Sequence, residues 1–68
     1  MKSIQLNGKT IELPETVHCI QDLLELYKLE NRIVVVEVNK EIIYKEQYTA
    51  QALSDRDTVE IVHFVGGG

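Results

Sequence analysis

The stretch KSIQLNGKTIEL, residues 2–13, alternates apolar and polar side chains on both sides of an Asn-Gly pair. Ile4 and Leu6 precede this pair, and Ile11 and Leu13 follow it. Both central positions of a type I′ turn need a positive φ, which asparagine and glycine tolerate better than other residues. The stretch therefore predicts that the chain opens with a β-hairpin that has one apolar face.

A helix is predicted immediately after the hairpin. Pro14 ends the second strand, Thr16 is the expected N-cap of a helix over VHCIQDLLELYKL, and Asn31 is expected to end it. The apolar side chains fall on one stripe at helical spacing, which predicts a helix packed on a single surface. These stripe residues are Val17, Ile20, Leu23, Leu24 and Tyr27.

The second half of the chain predicts three more strands, at RIVVVEV, at residues 41–44 and at TVEIVHF. Turns are expected at Asn39-Lys40 and at residues 54–57, with Ala52 and Leu53 as anchors of the polar segment between. Because a helical crossover separates the halves, the terminal strands are expected to lie parallel in the middle of the sheet. The predicted fold class is α+β, with a mixed sheet of about five strands packed on one main helix.

Alternation along the third and last strands predicts a second apolar face, on the side of the sheet away from the helix. Ile33 and Val35 share this face with Val62 and Phe64. An exposed apolar surface of this kind is typical of a docking site for a partner protein. A sheet face through which two copies of the chain associate is the alternative.

The overall composition limits the classes of function. The 68 residues suffice for one domain, expected over residues 1–65 with a glycine tail at 66–68. The net charge is −4 and the basic residues are scattered, so nucleic-acid binding is not expected. No apolar run approaches the ~20 residues that cross a bilayer, and the start has no signal core, so a cytoplasmic protein is expected.

No catalytic or metal-binding pattern is recognisable. Cys19 is the single cysteine, its neighbour His18 points about 100° away on a helix, and His63 lies far from both in sequence. Asp55 and Asp57 are typical turn residues. We therefore expect no metal site and no enzyme activity from these side chains.

The chain ends in Gly66, Gly67 and Gly68, which no helix follows, so a phosphate-binding loop is not indicated. The three glycines are either a frayed end or a narrow, flexible arm that carries the terminal carboxylate into a partner's slot.

The hairpin, the helix TVHCIQDLLELYKL, the run VVVEVNKEIIYKEQY, the turn LSDRD and the end VEIVHFVGGG together resemble the sulfur carrier proteins of thiamine biosynthesis, the ThiS family. The resemblance covers essentially the whole chain and implies a ubiquitin-like β-grasp fold. It also implies a carrier that binds no cofactor of its own and does not act as an enzyme. The family's usual end is a diglycine, so Gly66 is an additional glycine here.

The resemblance implies that an E1-like adenylating enzyme uses ATP to activate the carboxylate of Gly68, with Gly67 completing the diglycine. An enzyme that takes sulfur from cysteine would supply the sulfur, and the resulting thiocarboxylate would serve thiazole synthase. Two alternatives remain open: a carrier for another pathway, such as the small subunit of molybdopterin synthase, and a ubiquitin-like modifier or binding module.

Overall fold

The computed structural model describes residues 2–64. The predicted glycine tail at 66–68, and with it the predicted domain boundary at residue 65, lie outside the described residues. The elements in chain order are β1 (Lys2–Leu6), β2 (Lys9–Leu13), α1 (Ile20–Leu26), β3 (Val34–Val38), β4 (Glu41–Ile43), a short 3₁₀ helix (Lys45–Gln47) and β5 (Thr58–His63).

The strands form one mixed sheet in the order β2-β1-β5-β3-β4. Strand β1 pairs with β2 in antiparallel and with β5 in parallel orientation, and β3 pairs with β5 and β4 in antiparallel orientation. The first and last strands are therefore parallel neighbours in the middle of the sheet, as predicted. This arrangement of five strands and one helix confirms the predicted ubiquitin-like β-grasp fold.

Both two-residue hairpin turns have a left-handed backbone, which the sequence predicts for Asn7-Gly8; at Asn39-Lys40 the sequence predicts only a turn. Asn7 and Gly8 have φ values of 50° and 83°, and Asn39 and Lys40 have φ values of 50° and 72°. The second turn places a lysine where glycine would be unstrained, which costs conformational energy at that position. The turns set the register of the two outer hairpins, with Leu6 opposite Lys9 and Val38 opposite Glu41.

The helix begins at Ile20, so the predicted N-cap at Thr16 is wrong. Cys19 is extended, with φ −141° and ψ 175°, and forms an isolated antiparallel bridge with Ala52. The carbonyl of His18 also accepts a hydrogen bond from the Leu53 N–H at 2.9 Å. Pairing with this distant segment holds the backbone before Ile20 extended, and a residue in that conformation cannot belong to a helix.

The helix ends at Leu26, five residues before the predicted stop at Asn31. Lys28 has a φ of 60°, and its N–H donates to the Glu25 carbonyl at 3.1 Å. The Leu29 N–H donates to the Leu24 carbonyl at 2.7 Å. These two bonds form a Schellman motif, with Lys28 in the left-handed position. The predicted stop at Asn31 is therefore wrong.

The core lies between α1 and one face of the sheet. Tyr27, predicted on the buried stripe, is exposed because the helix ends there, and Ala52, predicted as an anchor, is exposed as well. Tyr48 is buried instead; its burial raises the pKa of its phenol, and the charge of Glu46 raises it further. The buried apolar residues are Ile4, Leu13, Val17, Ile20, Leu23, Leu24, Val36, Val38, Ile43, Tyr48, Leu53, Val59 and Ile61.

Within residues 2–64, the structure has no helix with the length and apolar character that crossing a membrane requires.

Candidate functional site

The candidate site is the end of β5, where the chain leaves the sheet toward the glycines. Strand β1 ends at Leu6, but the side chain of the next residue, Asn7, continues its pairing. The Asn7 Oδ1 accepts a hydrogen bond from the Ile61 N–H at 2.8 Å, and its Nδ2 donates to the Ile61 carbonyl at 3.2 Å. The side-chain amide thus replaces one residue of a neighbouring strand and holds β5 in place near its end.

On its other side, β5 pairs with β3, and a hydrogen bond to Ile33, the residue before β3, continues this pairing to Phe64, the last described residue. Val35 lies opposite Val62, and the Phe64 N–H donates to the Ile33 carbonyl at 3.1 Å. The structure therefore brings together Ile33, Val35, Val62 and Phe64, the four side chains that the sequence places on the face away from α1. Their role in docking a partner remains a prediction.

These side chains are largely accessible. Ile33 is 76% exposed, Phe64 is 54% exposed and Val62 is 53% exposed, whereas Val35 is partly buried. Two further exposed side chains extend the surface across β4: Ile42 lies opposite Glu37 on the same face, and Tyr44 follows the strand. We call the six residues Ile33, Val35, Ile42, Tyr44, Val62 and Phe64 the apolar patch.

Sequence reasoning missed Ile42 and Tyr44, although a signal for them exists. A two-residue turn at Asn39-Lys40 fixes the register of β3 and β4, so Ile42 has to lie opposite Glu37. Extending the same register by two residues places Tyr44 opposite Val35. The β4 segment thus carries part of the apolar patch.

A shallow groove lies on the opposite side of β5, between this strand and the end of α1. Its walls are apolar apart from one amide and one imidazole, and His63 projects into it from β5. The lining residues are Leu6, Asn7, Tyr27, Leu29, Ile61 and His63. The end of β5 therefore lies between two accessible surfaces, the groove on the helix side and the apolar patch on the other.

The remaining chemically interesting side chains have structural partners. The Asp22 carboxylate accepts a hydrogen bond from the His18 N–H at 2.9 Å, and this bond, with weaker contributions from Cys19, lowers the pKa of Asp22. Asp55 accepts a hydrogen bond from the Ser3 N–H at 2.8 Å. No group of three or more potential metal-binding side chains occurs among residues 2–64.

Asp57 stabilises a turn, as predicted. Its carboxylate accepts hydrogen bonds from the Ser54 N–H at 2.8 Å and from the Asn39 Nδ2 at 3.0 Å. The predicted working residues Gly66, Gly67 and Gly68 lie outside the described residues, and their roles remain predictions.

A segment of a larger protein resembles this chain. A protein of Paramagnetospirillum magneticum named thiazole synthase is 43% identical over 49 residues, which are 72% of this chain and 15% of that protein.

Comparison over the whole chain identifies the family. The model of the ThiS family matches residues 4–68. The sulfur carrier protein ThiS of Bacillus subtilis is 60% identical over 65 residues, which cover 96% of this chain and 98% of that protein. The crystal structure of the thiamine biosynthesis protein ThiS from Geobacter metallireducens matches with a TM-score of 0.79 at 31% identity, covering 97% of this chain and 99% of that one. The chain belongs to the ThiS family.

Proposed function

We propose that this protein is a sulfur carrier of thiamine biosynthesis, which acts as a carrier and not as a catalyst. The observation that carries the proposal is the 60% identity to the Bacillus subtilis sulfur carrier protein ThiS over nearly the full length of both chains. The core is small, and a domain of this size leaves little room for an enclosed active site, which agrees with a protein on which enzymes act.

The reacting group in this proposal is the carboxylate of Gly68, the last residue of the family match. A carboxylate is a poor electrophile, so an E1-like enzyme first joins it to the α-phosphate of ATP and releases pyrophosphate. A sulfide-level sulfur then attacks the acyl carbon and AMP leaves, which yields a thiocarboxylate. ATP binds to the activating enzyme, and the carrier itself binds no cofactor.

Three partners follow from this chemistry: the E1-like adenylating enzyme, an enzyme that supplies sulfur from cysteine, and thiazole synthase as the acceptor. The resemblance between this chain and a segment of a thiazole synthase supports the last of these, because a carrier and its acceptor can share one polypeptide. We place the protein in the cytoplasm with these partners.

In this proposal, different parts of the chain have different tasks. The Asn7 side chain holds the end of β5, so that the chain leaves the sheet from a fixed point. The apolar patch surrounds this point on one face and is the proposed docking surface. Gly66, Gly67 and Gly68 are the proposed arm, because glycine has no side chain to obstruct a narrow channel.

An intact-mass experiment tests the proposal. The full chain is incubated with extract of its own cells, ATP and cysteine; we expect a mass gain of about 16 Da as the terminal oxygen is exchanged for sulfur. A variant that lacks Gly67 and Gly68, and a reaction without ATP, are the controls and should show no gain. An unchanged mass of the full chain under these conditions would refute the proposed function.

A further inference from the structure

Two glutamates lie directly opposite each other on the sheet face that carries the apolar patch. Glu37 of β3 pairs with Glu60 of β5, and Ile42 of β4 lies on the other side of Glu37. The next row toward the end of β5 holds Val35 and Val62. Because two residues of a strand span about 7 Å, the two carboxylates border the apolar patch.

Like charges directly opposite in a sheet repel each other and destabilise it. Among residues 2–64, no strand position on this face holds a lysine or arginine that could offset the repulsion. By register and alternation, the strand positions on this face are Ser3, Gln5, Thr10, Glu12, Val35, Glu37, Ile42, Thr58, Glu60 and Val62. Arg56 borders this face beside Thr58, and Lys45 borders it beside Val35 and Ile42, but neither occupies a strand position next to the two glutamates. The free carrier therefore places two like charges side by side at the edge of its proposed docking surface.

A partner can remove this unfavourable interaction. A guanidinium group is planar, carries several donors and pairs with carboxylates in two-bonded geometry, and it is less strongly hydrated than an ammonium group. Placed over Glu37 and Glu60 while apolar side chains cover the neighbouring row, it would convert repulsion into attraction, and the exclusion of water would strengthen the attraction. Complementary charge of this kind accelerates association and excludes wrong partners.

We propose that the thiazole synthase partner covers this face with an apolar centre and at least one arginine positioned over Glu37 and Glu60. The inference rests on the proposed function, because it specifies the chemistry of a partner that the carrier function requires. The inference goes beyond the proposed function because it states that Glu37 and Glu60, which lie outside the glycine arm, determine which partner the carrier binds.

Binding of the full chain to purified thiazole synthase of the same organism tests the inference. We compare the wild type with Glu37→Gln/Glu60→Gln at low salt and at high salt. The double variant should bind about tenfold more weakly at low salt, mainly through slower association, and its affinity should depend less on salt. A charge reversal, Glu37→Lys/Glu60→Lys, should weaken binding further.

A matched control removes the same number of charges elsewhere. Glu15 lies between β2 and α1, and Glu25 lies on α1; both are exposed. The Glu15→Gln/Glu25→Gln variant should bind within about twofold of the wild type, because net charge alone acts weakly at a distance in salt. Unfolding curves of all variants establish that each is folded.

Several results would overturn the inference. These are equal weakening by both double variants, an unchanged affinity of Glu37→Gln/Glu60→Gln, and a wild-type chain that does not bind the synthase. Self-association of this variant with unchanged synthase binding would assign the glutamates to keeping copies of the chain apart. If one of these binding results is obtained and the variant still gains about 16 Da in the ATP-dependent assay, only this inference fails. If the wild type gains no mass, the proposed function fails.

Discussion

The Asn7 side chain provides the most informative test of how the fold positions the end of β5. Its Oδ1 and Nδ2 form two hydrogen bonds to the backbone of Ile61, at 2.8 and 3.2 Å, and both are partly buried. In Asn7→Gly both bonds are lost, while the backbone φ of 50° remains acceptable. At roughly 0.5–1.5 kcal/mol for each bond, we expect a loss of about 2 kcal/mol in the free energy of unfolding.

Thermal and urea unfolding measure this loss. For a domain of this size 1 kcal/mol corresponds to a change of roughly 4–8 °C in Tm, so Asn7→Gly should lower Tm by about 8–16 °C. Hydrogen exchange of the Ile61 amide should accelerate in parallel, because its acceptor is gone. In Asn7→Asp the acceptor remains and the donor is lost, so the loss should be smaller than in Asn7→Gly.

The glycine substitution itself is controlled by Lys40→Gly, which replaces a residue of positive φ in the other two-residue turn. A Tm of Asn7→Gly within about 2 °C of the wild type, or unchanged exchange of the Ile61 amide, would refute the role assigned to the Asn7 side chain. The end of β5 would then depend on its pairing with β3 alone.

Other predictions concern the helix and the second turn. Leu23→Ala should lower the free energy of unfolding by about 2–5 kcal/mol, because Leu23 is 0% exposed. Leu26→Ala, at a side chain that is 45% exposed, should lower it much less. Equal losses for the two variants in urea unfolding would contradict the core described above. The hydrogen bond from the His18 N–H lowers the pKa of Asp22. The stabilisation that the ionised Asp22 provides is therefore complete above about pH 4 and is lost as the pH falls through the lowered pKa. Asp22→Asn should reduce the dependence of Tm on pH in this acid range, and a pH profile identical to that of the wild type would contradict this role of Asp22. Lys40→Gly should stabilise the protein by about 0.5–1 kcal/mol. Lys45→Gly, in the 3₁₀ helix, should not stabilise it. A Tm of Lys40→Gly below that of the wild type would contradict the strain inferred from the φ of Lys40.

Local signals predict most of the sheet. Asn7-Gly8 and Asn39-Lys40 form two-residue hairpin turns, although only Asn7, Gly8 and Asn39 are residues that tolerate a positive φ well. Strict alternation then determines which face each strand side chain occupies. Alternation alone assigns Ile33 and Val35 of the third strand, and Val62 and Phe64 of the last strand, to the face away from the helix. The composition of the centre of the candidate site is therefore predictable, although the pairing between these two strands is not.

The start of the helix is not predictable from local signals. Thr16 is a good N-cap by residue type, but the backbone of Cys19 pairs with Ala52, a residue far along the chain, and this pairing outweighs the local preference. The end of the helix is equally hard to predict, because a lysine is not a residue type that favours the left-handed backbone that Lys28 adopts in the Schellman motif. A tertiary contact therefore decides where the helix begins, whereas two local hydrogen bonds close its end.

The pairing of Glu37 with Glu60 becomes visible only once the register between β3 and β5 is known. These strands are joined by a long irregular connection, so no short turn determines their register in advance. The chemistry proposed for the partner's surface therefore follows from the structure and could not have been inferred from the composition of either strand.

The central claim is that Gly68 carries sulfur, and the intact mass of the protein purified from its own cells tests it most directly. We predict a species about 16 Da heavier than the sequence, with the added mass in the fragment that contains Gly68 and with a reactive thiol-like group there that an alkylating reagent modifies. Oxidation of Met1 adds a similar mass, so the fragment that carries the addition is decisive. A protein of unmodified mass in cells that lack external thiamine, or an addition confined to fragments without Gly68, would contradict the account.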